Sequence, residues 1–253
     1  MSFKKGNVQH YDDFSSGKLI GYDRSHLTFQ NNAVQFLTEK NGNQFIRLTS
    51  RSKQLSNLNK GDKKNTKDRI EIGTPDLGPL KEDAELWWGF RVKLPPGIEE
   101  INVQKITFNQ FKQIQKNSSG KDCHPGMMWR MNLENPSTWL AVTDGNDNKF
   151  NKTLFRNFVT DEWTTVIVGA KFSKTRAGFL KAFRNGKLVY TFNGITIMDN
   201  FAKCTPTKTM QTYLRIGVYR GSPNGWENKG PDALDFDDFV MSNNKNDVMS
   251  ILQ

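Results

Sequence analysis

No run of apolar residues in this chain approaches the roughly 18 that a helix needs to cross a bilayer, so a helical membrane span is excluded. The amino terminus, MSFKKGNVQHYDDF, follows its two lysines with no apolar segment, and no signal peptide is legible there. The expectation is a protein made without one, or a mature chain restarted at methionine. Cysteine is almost absent. Cys123 and Cys204 are too few for a disulfide framework, and a single bridge or two free thiols both stay open. His10, His26 and His124 are scattered, which leaves no close His/Cys set for zinc. Long amphipathic helices and fixed-period repeats are missing too, with room for a short helix at 196–203 at most.

What the chain does have is positive charge. Thirty-six basic residues against 26 acidic ones leave a formal charge of +10, which favours a polyanionic partner. Nucleic acid, an anionic membrane surface and an acidic polysaccharide all qualify, and so does plain solubilising surface. With 36% hydrophobic and 11% aromatic residues, the 253-residue chain can fill a sizeable core as a single domain, 1–253.

Its elements read as strands. ELWWGFRVKLP alternates, with Leu86, Trp88, Phe90, Val92 and Leu94 on one face and Glu85, Trp87, Arg91 and Lys93 on the other. GFLKAFRNGKLVYTF carries a hairpin signal, because Asn185-Gly186 tolerates the positive φ that a tight turn demands. VQFLTE, NQFIRLTS, KITFNQFKQIQ, MMWRMNL, TTVIVGAKFS, TYLRIGVYR and LDFDDFVMS complete the set. Many short strands separated by Gly/Asn/Pro turns predict an all-β, two-sheet antiparallel sandwich. The polar, basic segment SNLNKGDKKNTKD (56–68) is expected to be a mobile loop.

Three strands carry polar residues at alternate positions. In YLRIGVYR, Leu214, Ile216 and Val218 form an aliphatic face. Tyr213, Arg215 and Tyr219 form the other, with Gly217 as a gap through which something can approach the backbone. DRIEIG sets Arg69 and Glu71 against Ile70 and Ile72. In FNQFKQIQ, Gln110 and Lys112 share one face, while Asn109, Phe111, Gln113 and Gln115 share the opposite one. Each alone suits an ordinary solvated strand. Together, in a basic chain, they predict a binding groove.

These segments resemble the jelly-roll polysaccharide lyases, the group of alginate lyases, heparin-lyase-like enzymes and glucuronan lyases. Alginate lyases of this fold line one concave sheet with an Arg-x-Glu strand, a Gln-x-His strand and a Tyr-x-Lys-x-Gly-x-Tyr strand. Arg69-Ile70-Glu71 resembles the first, and Tyr213-Leu214-Arg215-Ile216-Gly217-Val218-Tyr219 the third, with arginine in place of lysine. The opening YDDFSSG and the closing LDFDDFVMS are similar to terminal strands of the wider group. No histidine stands at the Gln-x-His position. Gln113-Ile114-Gln115 leaves no base there, whereas Gln110-Phe111-Lys112 supplies a lysine and is the favoured register. The Glu-x-Asp-x-Glu signature of jelly-roll glucanases is missing, which argues against hydrolysis by paired carboxylates.

The resemblance implies β-elimination on a uronic-acid-containing anionic polysaccharide. The proton at C5 leaves only if charge developing on the neighbouring carboxylate is met by fixed donors. Arg69 offers a planar fork and Gln110 a neutral amide, with Asn109 a weaker third on the far strand face. Lys112 is the expected base, which requires its neutral form, favoured by burial and neighbouring cations. Tyr219 is the expected proton donor to the leaving oxygen, or serves both roles if elimination is syn. Tyr213, Arg215, Glu71, Gln113 and Gln115 would bind substrate.

Other residues have plainer readings beside the functional one. His124, in KDCHPGMMW, reads as a structural or exposed loop residue before a proline, and it can also reach a groove from its rim as a substrate contact and reserve base. One of Trp87 and Trp88 belongs to the core and the other to a sugar-stacking platform. Asp235, Asp237 and Asp238 suit a structural calcium, although their spacing is no recognised loop and strand-end solvation explains them as well. No cofactor is otherwise expected. The expected partner is an anionic polysaccharide rather than nucleic acid or a membrane, met by a monomer outside the cell or on a virion. A lectin-like carbohydrate-binding module using the same groove is the rival. A nucleic-acid binder lacks any recognition motif.

Overall fold

The computed structural model describes residues 8–22, 33–50, 68–74, 77, 81–97, 106–116, 122–123, 128–134, 137–143, 149–155, 159–194, 196, 210–221 and 232–253. Two antiparallel sheets face each other. The first contains β1 (Val8–Asp12), β2 (Val34–Thr38), β3 (Gln44–Thr49), β5 (Glu85–Lys93), β11 (Thr164–Lys171), β12 (Gly178–Arg184), β13 (Lys187–Gly194) and β15 (Ala233–Ser242). Their order is β13-β12-β11-β5-β15-β3-β2, with β1 alongside β15. The second contains β4 (Asp68–Gly73), β6 (Ile106–Lys116), β7 (Asp122–Cys123), β8 (Met128–Glu134), β9 (Ser137–Thr143), β10 (Lys149–Phe155) and β14 (Met210–Gly221). Here the order is β10-β9-β8-β6-β14-β4, with β7 beside β6. The expected two-sheet all-β sandwich is what forms.

Strand alternation builds the core between the sheets. Leu86, Trp88, Phe90 and Val92 of β5 face Phe108 and Phe111 of β6 and Leu214, Ile216 and Val218 of β14 in one continuous buried cluster. Trp88 stacks on Phe111 at 5.4 Å between centroids, and Phe111 stacks on Phe172 at 5.5 Å. Apolar side chains on both inner faces leave water together, and that burial drives the sheets into contact. The β12–β13 hairpin turns on Asn185 and Gly186 at φ 47° and 76°, the paired positive values read from the sequence.

Two expectations are corrected. The described helix is α1 (Lys245–Leu252), capped by the Asn244 side chain on the Asn246 N–H, with Asp247 in its first turn. Of the 196–203 segment only Thr196 lies within the described residues. Secondly, neither tryptophan is a sugar platform. Trp88 is in the central core, and Trp87 lies on the outer face of the first sheet. There Val248 and Leu252 of α1 cover it in a second cluster with Ile167, Phe183 and Val240.

Candidate active site

The outer face of the second sheet is built by three strands in register. Tyr219 of β14 lies between Arg69 of β4 and Thr107 of β6. Arg215 lies between Gly73 and Gln110, and Tyr213 lies opposite Lys112. Leu214, Ile216 and Val218 are fully buried, while Tyr213, Arg215 and Tyr219 are half-buried, so the two faces divide as the alternation predicts. Arg69 enters the row through its backbone position opposite Tyr219.

Gly217 has a different purpose from the gap expected of it. Its φ is +148°, and a Cβ there would stand 2.2 Å from the Ile70 carbonyl oxygen and 3.1 Å from Glu71 Cγ. What approaches the backbone at Gly217 is the neighbouring strand, not a ligand. Across that bare position Gln110 Nε2 donates to Glu71 Oε1, joining β6 to β4 over the strand between them. Glu71 is 1% exposed and Gln110 4%. The Glu71 carboxylate is therefore turned to Gln110 within the sheet, which corrects its expected role as a substrate contact.

The register also slips here. β6 bulges between Thr107 and Asn109, and β14 gains a residue between Ile216 and Tyr219 relative to β6. The bulge does not bring Asn109 to the floor. Its amide donates to the Arg215 carbonyl at 3.0 Å and accepts from Trp88 Nε1 at 3.4 Å, with the side chain buried.

Arg215 lies flat. Its guanidinium carbon sits 5.0 Å from the Tyr213 ring centroid. Its stem crosses Gly73, where a Cβ would come within 2.9 Å of Arg215 Cγ. This is a cation–π pair on the half-buried floor. Lys112, half-buried, shares this end of the floor with Tyr213. Tyr213 and Tyr219 are six strand positions apart, roughly 20 Å at about 3.3 Å per residue. Lys112 and Tyr219 would each have to lie along the sheet, over Arg215 and Gln110, to meet at one glycosidic bond.

Other expected residues are placed only by register or lie outside the description. Gln113 pairs with Thr212 and Gln115 with Met210 along the backbone, and the side chains of both glutamines lie outside the described residues. His124 lies outside the described residues, as do Cys204 and most of the 56–68 loop. Arg130, which sequence reasoning missed, occupies the β8 position directly beside Gln110. Its signal was the alternation of MWRMN.

The aspartates of β15 belong to the other sheet and are not solvated strand ends. Arg47 grips Asp235 with Nε to Oδ1 at 2.6 Å and a terminal nitrogen to Oδ2 at 2.9 Å. Arg91 pairs with Asp237 at 3.1 Å and with Asp238. Asn43 donates to Asp237 and the Tyr11 hydroxyl to Asp238, both at 2.9 Å. Burial pushes the Asp237 carboxyl up to about 6, with the Asp238 charge adding, against the pull of Asn43 and Arg91. Burial likewise raises Asp235 despite Arg47. Among the described residues, no group of three or more His, Cys, Asp or Glu side chains is arranged to hold a metal ion.

A two-sheet antiparallel sandwich with a face of guanidinium, amide and phenol groups falls in the class of jelly-roll enzymes that act on polysaccharides. The polysaccharide lyase family model matches residues 3–239, and the chain belongs to that family. No curated protein matches it by sequence. Among solved structures, an endo-β-1,4-glucuronan lyase from the fungus Trichoderma reesei is similar over 95% of this chain and 98% of its own, at 16% identity and TM-score 0.69. An alginate lyase from a Chlorella virus is similar over 83% of this chain and 88% of its own, at 12% identity and TM-score 0.52. A family 7 alginate lyase covers 86% of this chain and 84% of its own, at 11% identity and TM-score 0.56.

Proposed function

We propose that this lyase cleaves a uronic-acid-containing polysaccharide by β-elimination on the outer face of the second sheet. The observation that carries the reading is the ordered row of Tyr219, Arg215 and Gln110 on that face, in a chain of this family. The glucuronan and alginate named for the similar proteins are both uronate polymers, and the chain's +10 charge suits such a polyanion.

The register favours Tyr219 for both proton transfers. Its phenolate takes the C5 proton, the released electron pair forms the C4–C5 double bond, and the C4–O4 bond breaks. The same phenol then returns the proton to O4, which restores the phenolate. Arg69, opposite Tyr219, and Gln110, reaching across Gly217, meet the charge that develops on the uronate carboxylate. Lys112, Tyr213 and Arg215 hold the next sugar along the chain, so Lys112 passes from base to substrate contact in this proposal. Such polymers are met outside the cell or at a virion surface, and we place the activity there.

Each turnover creates a conjugated unsaturated uronyl end that absorbs in the ultraviolet. A panel of alginate, glucuronan, heparin-like and capsular polysaccharides should yield rising absorbance with at least one. Tight binding with a flat spectrum would establish the lectin-like rival.

A further inference from the structure

Resting on the uronate-lyase reading, we infer that Glu71 is a positioning residue that fixes which way the Gln110 amide points. Both side chains are almost completely buried, at 1% and 4% exposure. They come from strands that do not touch, and they meet over Gly217, whose missing side chain leaves the space between them. A buried carboxylate is costly to keep unless something needs it. An apolar residue on β4 would fill the same space at lower cost.

The chemistry of the Gln110–Glu71 pair supplies one such need. An ionised carboxylate only accepts, so the Gln110 nitrogen, and not its oxygen, must face Glu71. An amide nitrogen carries two hydrogens, and one is donated to Glu71 Oε1. The second is the one we assign to the uronate carboxylate, through the 4% of Gln110 that stays exposed, and among the described residues Gln110 makes no other side-chain hydrogen bond. Without Glu71 the amide can turn over and present its carbonyl oxygen to the substrate. That would set a partial negative charge against the developing one. A donor held in place before reaction pays no reorientation when charge appears, which is where fixed dipoles have their largest effect.

Glu71→Gln tests this without changing size, because a second amide can accept or donate and so no longer dictates the orientation of Gln110. The expected result is a loss in kcat of roughly 10-fold or more with a small change in KM. The same substitution in a Gln110→Ala background should have almost no further effect. Equal losses in both backgrounds would mean that Glu71 only supports the sheet, and an unchanged kcat in the single variant would also overturn the proposal. Side-chain amide NMR of the wild-type protein is the second arm, with the Gln110 pair assigned by its loss in Gln110→Ala. One of its two protons should be shifted downfield by the carboxylate and return toward the ordinary position in Glu71→Gln. An unshifted pair in the wild type overturns the inference even if Glu71→Gln fails to fold. If no uronate polymer is turned over, the lyase reading fails on its own, and the NMR arm still decides whether Glu71 orients Gln110.

Discussion

The outer faces of the two sheets carry similar residue types and treat them in opposite ways. On the first sheet each described arginine or lysine of the β3–β15–β5 rows is held by a carboxylate. Arg47 is on Asp235, Arg91 on Asp237 and Asp238, and Lys93 on Glu39 at 2.8 Å, with Trp163 Nε1 donating to the same Glu39 oxygen. Beside those rows α1 covers Trp87, Ile167, Phe183 and Val240 of that face. On the second sheet the half-buried Arg215 stacks on a phenol, and the buried Glu71 takes the Gln110 amide. The first arrangement neutralises charge within the fold. The second lays a half-buried guanidinium against a phenol, on a face proposed to meet an anionic polymer. A row of charged residues therefore says little until its partners are known.

The sharpest way to break this comparison is at Tyr219. Tyr219→Phe keeps the ring and removes only the oxygen, so kcat should fall by about 10²–10⁴-fold with little change in melting temperature. A variant that keeps wild-type kcat on a confirmed substrate would falsify the catalytic assignment. Next come the two arginines. Arg47→Ala strands Asp235, which has no exposed side-chain surface, and should lower folding stability by roughly 3 kcal/mol without changing KM. Arg215→Ala should do the reverse, raising KM about 10-fold at nearly unchanged stability. Chemical denaturation beside steady-state kinetics separates them, and the same pattern for both would erase the distinction between the faces.

A smaller effect is expected from pH. The Asp237 carboxyl sits near 6 in the fold against an ordinary value near 3.8, so the folded state holds a proton between about pH 4 and 6 that the unfolded state has released. Stability from this group is greatest below that window and falls as the pH rises through it. Asp237→Asn should thus be more stable than the parent by about 2 kcal/mol at pH 7, an advantage that vanishes near pH 4. Equal stabilities at pH 7 would contradict the burial argument. The mildest test is salt. Raising ionic strength shortens the screening length below about 8 Å, so KM should rise while kcat holds. A KM indifferent to salt would disprove attraction by charge.

Much of this was legible in the chain, because alternation is a local property. Tyr213, Arg215 and Tyr219 separate from Leu214, Ile216 and Val218 by parity alone, and Asn185-Gly186 marks its own turn. The rest depends on long-range contacts. The bulges at Thr107–Asn109 and Ile216–Tyr219 cannot be read from strand composition, yet they set how far Lys112 stands from Tyr219. Parity placed Glu71 beside Arg69, but only the approach of β4 to Gly217 buries it. LDFDDFVMS looked like a solvated strand end because Arg47 and Arg91 are far away in sequence. α1 was missed although Asn244, Asp247, Val248 and Leu252 have the spacing of a capped amphipathic turn.

Asn109 has a mechanical consequence. One amide clasps Trp88 of the first sheet and the Arg215 carbonyl of the second, at the point where β14 is irregular. β14 cannot slide against β6 without breaking the Asn109–Arg215 bond, and Asn109 is itself held across the hydrophobic interior by Trp88, so the spacing of the floor is tied to both sheets. Backbone amides of β14 around Arg215 should exchange with deuterium only when the entire molecule opens, while those of the edge strands β10 and β13 exchange through local fraying.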